Sequence, residues 1–175
     1  MTPVELLTAL QTRFGSGIAS VSPNAIDPFA IVEPSALVEL CTALRDDFGF
    51  DILNNLCGVD YLEPDAKKLA KAGFEPHLEV VYHLSSFSQP GRRITLKVAL
   101  PRWVGEKFDE LPTVPSVAGI WRTADWHERE AFDLLGIRFT GHPDLRRILL
   151  GEDWVGHPLR KDYEFPLEYH DIRCR

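Results

Sequence analysis

The sequence predicts an α+β fold, with helices packed on one face of a mixed, mostly antiparallel sheet and an extended signature segment near the C-terminal end. Three observations carry that prediction. Residues 78–84 and 94–100 are runs of aliphatic and β-branched residues joined through Pro90 and Gly91, the pattern of an antiparallel hairpin at the centre of a sheet. Helical periodicity opens the chain and returns at 125–136, on either side of the strands. Nothing between them reads as a linker, so residues 1–175 form a single domain, with the signature at 116–166.

Thr2, Pro3 and Glu5 form a capping box with proline at the first helical position, and Val4, Leu7, Leu10 and Phe14 then supply an apolar stripe that Gly15 closes. From 16 to 34 the chain is broken by Gly17, Pro23, Pro28 and Pro34, leaving short extended pieces such as 29–32. Ser35 is placed to cap a second helix, in which Leu37, Leu40, Cys41 and Leu44 recur at helical spacing before Asp46, Asp47 and Gly49. Residues 53–61 start a strand, and 62–76, with its lysines, read as a solvated excursion. Residues 101–115 are loop-like, with Trp103, Phe108, Pro112 and Pro115. Residues 116–121 fit either a strand or a short helix capped by Ser116.

The signature helix follows, with Asp125 as the expected N-cap, Glu128 as its capping-box partner and Gly136 as its stop. At about 100° per residue, Trp126, Arg129, Glu130 and Asp133 gather on one side, while Ala131, Phe132, Leu134 and Leu135 spread over most of the rest. Such a helix has little face left for water. Two echoes of one phrase come next, GHPDLRR at 141–147 and GHPLRK at 156–161, each a rigid His-Pro turn ahead of a basic pair. Acid in the helix therefore faces base in the turns.

Composition excludes several functions. A net charge of −7, with the basic pairs Arg92–Arg93, Arg146–Arg147 and Arg160–Lys161 dispersed among acids, is not the footprint of a nucleic-acid binder. Cys41, Cys57 and Cys174 are far apart and form no CxxC pair, so they assemble neither a zinc knuckle nor an iron–sulfur site and read as reduced cytosolic thiols. The start, MTPVELLTAL, lacks the basic and apolar regions of a signal peptide, and no run approaches the ~18 apolar residues of a membrane span. Membrane association is expected only through partners.

The chemistry-bearing residues build no active site. His127 and Glu128 open an HE pair, but HExxH would need histidine at 131, where Ala131 stands. Glu128 and Glu130 point about 200° apart on a helix and cannot flank one bond. His142 and His157 lack a clustered third ligand and read as hydrogen-bonded structural histidines. No serine lies in GxSxG, and FGSGIAS at 14–20 follows a helix and lacks dinucleotide-binding spacing. A dense, partly apolar charged segment without a reaction centre fits a permanent interface, its ionic groups shielded from solvent once a companion polypeptide covers them.

The string WHEREAFDLLGIRFTGHPDLRRILLGEDWVGHPLRKDYEFP resembles the signature of the 30 kDa subunit family, the C subunits, of NADH:quinone oxidoreductase (NDH-1, respiratory complex I). LNNLCGVDY at 53–61, LEVVYHLSS at 78–86, ITLKVALP at 94–101 and VPSVAGIWRTADW at 114–126 fit the same pattern in order. The resemblance implies the same α+β architecture and an accessory or assembly subunit of the peripheral arm. It implies no cofactor in this chain, with FMN and Fe-S clusters held by partner subunits that pass electrons from NADH to quinone, coupled to proton translocation. The implied partner is the quinone-site, 49 kDa-like subunit, and the implied location is peripheral, on the cytoplasmic side of the bacterial inner membrane.

The family's signature residues fall here on Trp126, Glu128, Arg129, Glu130, Asp133, His142, Arg146, His157, Arg160, Lys161, Asp162 and Tyr163, which become the candidate partner interface. Many members continue past the Phe165-Pro166 position with a longer tail, so a tail-mediated contact is expected to be shorter here. Two alternatives stand beside this reading. One is the equivalent subunit of a related membrane-bound hydrogenase or of a plastoquinone- or ferredoxin-linked dehydrogenase. The other is a free-standing metal-dependent hydrolase using His142, His157 and the glutamates.

Overall fold

The computed structural model describes residues 1–63, 65–103 and 110–174. Its elements run α1 (Pro3–Phe14), β1 (Ile18–Ser22), β2 (Phe29–Val32), α2 (Leu37–Asp46), β3 (Ile52–Tyr61), α3 (Ala66–Ala72), β4 (His77–Ser85) and β5 (Arg93–Leu100). They continue with β6 (Thr113–Pro115), α4 (Ala124–Leu135), β7 (Arg138–Thr140), β8 (Glu168–Tyr169) and β9 (Ile172–Arg173). Phe108, expected in a loop, lies outside the described residues.

The main sheet has the order β1-β2-β5-β4-β3. The hairpin β4–β5 is antiparallel and in unbroken register from Leu78↔Leu100 to Ser85↔Arg93, and β3 pairs antiparallel with β4. β2 pairs parallel with β5, from Phe29↔Thr95 to Ile31↔Lys97, which makes the sheet mixed. Period-two alternation divides its faces. Leu78, Val80, Tyr82 and Leu84 of β4, with Ile94, Leu96, Val98 and Leu100 of β5, enter one core with Leu6, Leu7 and Leu10 of α1, Leu37, Leu40, Cys41 and Leu44 of α2, and Ala131 and Leu135 of α4. Helices on one face of a mixed sheet are the architecture expected.

The α1 capping box is formed as read, with Thr2 Oγ1 accepting from Glu5 N–H and Glu5 Oε2 accepting from Thr2 N–H. The other two expected caps are not. α2 is preceded by a 3₁₀ turn, Pro34–Ala36, so backbone carbonyls take the place of Ser35 and no side chain caps it. α4 begins at Ala124 with Thr123 at the N-cap position and no side-chain cap, because Ala124 N–H donates to Trp121 O at 3.0 Å and Asp125 N–H to Arg122 O at 3.4 Å. Residues 116–121 form neither strand nor helix but a turn closed by Ile120 N–H on Val117 O. Within the expected excursion at 62–76 the structure adds α3, capped by Asp65, which accepts from Lys67 and Lys68 N–H, and stopped by Gly73 at φ +72°.

α4 is laid beside the edge strand β3. Thr123 Oγ1 donates to Leu53 O at 3.2 Å, and His127 Nδ1 meets the backbone of Leu56, 3.1 Å from its oxygen. One residue sets how closely helix and strand approach: a Cβ built on Gly58 would lie 2.5 Å from Leu135 Cδ1 and 3.1 Å from Ile137 Cδ1. Gly58→Val is therefore expected to cost about 1–3 kcal/mol through overpacking, read as a lower urea midpoint at unchanged m-value; an unaltered midpoint would contradict this contact.

Candidate functional site

On α4 only Trp126 and Glu130 are exposed, in keeping with a helix that has little face for water. The wheel's charged side is split, however. Arg129 and Asp133 are buried, Glu128 and Asp133 completely, and Arg160 and the His142 ring are buried with them. The expectation that these ions become shielded only under a partner is corrected: the chain shields them itself. It does so by folding both echo turns back onto the helix.

Asp133 is the hub of that folding back. Its Oδ2 accepts the consecutive N–H groups of Ile148, Leu149 and Leu150 at 3.0, 2.8 and 3.1 Å, and Arg147 Nη1 lies 2.8 Å from its Oδ1. Burial would push this carboxyl up, but the three amides and the guanidinium outweigh it and hold the carboxyl below its ordinary range. Arg147 also donates through Nη2 to Gly156 O at 3.1 Å, which ties the first echo to the second.

The second echo serves as the C-terminal cap of α4. A helix end leaves carbonyls without intrahelical partners, and here His157 Nδ1 bonds Asp133 O at 2.9 Å, Leu159 N–H bonds Leu134 O at 3.0 Å, and Arg160 donates to Leu135 O at 2.7 Å and Gly136 O at 3.3 Å. The cation at this end also suits the helix dipole. Burial, reinforced by the nearby Arg102 charge, lowers the Arg160 pKa to about 10, and burial likewise lowers that of His157. The Arg160 guanidinium stacks 3.7 Å from the Trp103 ring centroid.

The first echo repeats the arrangement near the other end of the helix. His142 Nε2 bonds Asp125 O at 3.1 Å while its Nδ1 accepts from Asp144 N–H at 3.0 Å. Gly141 and Gly156, which begin the echoes, share a left-handed backbone at φ +80° and +81° that only glycine adopts at little strain. Both histidines are thus hydrogen-bonded to backbone groups, and among the described residues no cluster of three or more His, Cys, Asp or Glu is placed to hold a metal ion.

The remaining candidates divide between interior and surface. Lys161 N–H donates to Asp60 Oδ2 at 2.9 Å, while Asp162 pairs with Arg102, whose guanidinium also holds Asp60 through Nε and Nη2 at 2.9 and 2.7 Å. Tyr163 OH donates to Val155 O at 3.2 Å. Arg146 is exposed and pairs with its neighbour Asp144, and Arg129 lies 4.0 Å from Asp125 with its Cζ 4.7 Å from the Trp126 ring. Among the described residues Glu128 meets no arginine: its carboxylate accepts from Ser116 Oγ and Val117 N–H.

Sequence reading missed Asp60 and Arg102, which lie far along the chain from the signature, and did not pair Ser116 with Glu128; Arg147, read in the basic pair facing the helix acids, meets Asp133. What faces outward around the lattice is apolar as well as charged: Trp126 is 63% exposed, Leu149 62% and Val155 85%, and Leu159 joins them.

The fold is thus an α+β one whose signature helix is pinned by two echoed turns and rimmed by exposed apolar side chains. Residues 30–169 match the family described as respiratory-chain NADH dehydrogenase, 30 Kd subunit. The chain belongs to that family. It is 50% identical over 133 residues to the NADH-quinone oxidoreductase C subunit of Roseiflexus sp. (strain RS-1), covering 75% of this chain and 66% of that one. It is 43% identical over 186 residues to the C subunit of the same enzyme from Coxiella burnetii (strain Dugway 5J108-111), covering 93% and 77%.

Among solved structures, the trypsin-resistant fragment of Nqo5 superposes with a TM-score of 0.61 at 27% identity, covering 83% of this chain and all of that fragment. A chain of the membrane-bound sulfane sulfur reductase, an archaeal respiratory membrane complex, shares the fold with a TM-score of 0.69 at 19% identity, covering 94% and 86%.

Breaking a buried pair leaves an uncompensated charge, and Asp133 also carries three amides. Asp133→Ala is therefore expected to cost about 3–5 kcal/mol in urea unfolding. Because the folded-state carboxyl titrates below its unfolded value, its contribution is complete above about pH 4 and is lost as pH falls through the lower folded value. In Asp133→Asn that part of the acid limb should flatten; an unchanged acid limb would show that Asp133 does not contribute it.

Proposed function

We propose that this chain is a cofactor-free bracing subunit of the peripheral arm of a proton-translocating NADH:quinone oxidoreductase, docked on the quinone-site subunit through the outer rim of its signature segment. The observation that carries the reading is the rim itself. Trp126, Leu149, Val155 and Leu159 stand exposed on a lattice that fixes their positions through buried ions. Large aromatic and aliphatic side chains on a rigid base are the usual core of a tight interface. Of the signature residues, Trp126, Glu130, Arg146, Lys161 and Asp162 are placed to meet a partner, while Glu128, Asp133, His142 and Arg160 hold the platform behind them.

In this reading FMN and iron–sulfur clusters reside in other subunits, electrons bypass this chain, and it sits on the cytoplasmic side of the bacterial inner membrane through its partners. No helix among the described residues is long and apolar enough to cross a membrane. A chain of a sulfane sulfur reductase complex shares the fold, so architecture alone does not select the NADH-linked complex over related respiratory assemblies. What favours the NADH-linked complex is the family match together with identities of 43–50% to the C subunits of NADH-quinone oxidoreductases.

Trp126→Ala with Glu130→Lys should leave the isolated domain within about 0.5 kcal/mol of the parent, yet reduce co-purification with the quinone-site subunit from native membranes about tenfold or more. Equal recovery would remove the docking assignment. The purified chain should be colourless and should oxidise no NADH alone; a stoichiometric flavin, cluster or metal would overturn the accessory role.

A further inference from the structure

Glu128 is fully buried at the base of α4, yet no lysine or arginine among the described residues pairs with it. Its Oε1 accepts Val117 N–H at 2.7 Å, and its Oε2 lies 2.5 Å from Ser116 Oγ, which itself accepts Ala118 N–H. Among the described residues the one basic group within ion-pair reach is the His142 ring, whose Nε2 lies 3.9 Å from Oε2. That ring is committed elsewhere: Nδ1 accepts Asp144 N–H, which assigns the hydrogen to Nε2, directed at Asp125 O. Protonating His142 would break the bond to Asp144.

Among the described residues none of the other ionisable groups around this carboxyl pairs with it as a counter-charge. On α4, Asp125 adds repulsion, while Arg129 is drawn toward Asp125 and the Trp126 ring. From α2 comes the fully buried Cys41 thiol, and from β4 the fully buried Tyr82, whose hydroxyl has no hydrogen-bond partner among the described residues. Burial pushes both groups up, and the Glu128 charge raises them further. An ionised carboxylate here is desolvated without a counter-charge, an expensive arrangement that proton uptake relieves.

We propose that Glu128 is a buried proton-binding site: folding takes up one proton, which sits in the contact between Oε2 and Ser116 Oγ and is released as the solution turns alkaline. The Ser116 contact reverses direction on protonation, and the serine hydroxyl hydrogen gives up Oε2 as its acceptor. The neutral acid donates Oε2–H to Ser116 Oγ and keeps Oε1 as acceptor for Val117 N–H, so the clamp between α4 and residues 116–118 survives in both states. Burial as the main cause, opposed by the two donors, brings the carboxyl up to about 7, within the range where a cell's pH sets its occupancy. Since the folded value is raised, the stabilisation is full below the unfolded carboxyl value and is lost as pH rises through the folded one.

Infrared titration of the full chain tests the site. A protonated-carboxyl band present near pH 5 should fade with a midpoint close to neutral, be missing in Glu128→Gln, and persist to higher pH in Ser116→Ala, which removes a donor to the ionised form. Glu128→Gln mimics the neutral acid, so the melting temperature of the parent should fall relative to this variant between about pH 5 and pH 9. If Glu128→Gln does not fold, the parent band and its shift in Ser116→Ala decide the matter. A parent with no protonated-carboxyl band near pH 5, or one whose titration ignores Ser116→Ala, would overturn the proposal.

Discussion

The carboxylate of Asp133 draws three consecutive peptide N–H groups and one guanidinium onto a single helical side chain, and the C-terminal third of the molecule depends on that convergence. Residues after β7 contain little regular structure, so they have few ladder hydrogen bonds of their own. An isolated surface ion pair would hold such a segment weakly, by about 0–1 kcal/mol. A buried carboxylate accepting three backbone donors is a different object: it satisfies amides that the segment could not satisfy internally and fixes where residues 148–150 turn. From that point Arg147 reaches Gly156, and the second echo is delivered to the end of α4.

Burial of charge in this protein is accordingly an internal matter. Arg160 lies at the negative end of α4, where the last carbonyls need donors, and Arg102 is gripped by Asp60 and Asp162. Such groups contribute less net free energy than apolar replacements would, but they dictate one arrangement of turns against one helix. The exposed tryptophan and leucines are then presented from fixed positions, which limits the ordering cost of any association.

Local signals in the sequence were legible and non-local ones were not. The strands β4 and β5 could be read from alternation and β-branched content, and the first capping box from residues three apart. Helix α4 was legible as a helix with scarcely any wet face, and the two glycine-histidine-proline turns as counterparts. The caps assigned to Ser35 and Asp125 failed for one reason: in each case a preceding turn supplied backbone carbonyls, and no side chain was needed. Asp60, 42 residues from Arg102 and 101 from Lys161, leaves no trace in any local pattern. Helix α3 rests on one aspartate and one glycine within a polar stretch, too weak a signal to stand out from a solvated loop.

The parallel pairing of β2 with β5 carries a consequence for assembly of the chain in time. Phe29 must find Thr95, across the whole intervening β3–β4 meander. Loop closure over that span is entropically unfavourable until the intervening strands have condensed. The ribbon β1–β2, whose two strands pair with each other, is therefore expected to join after the three-stranded template built from neighbours in sequence, since the edge that receives β2 is complete only once β5 has been made.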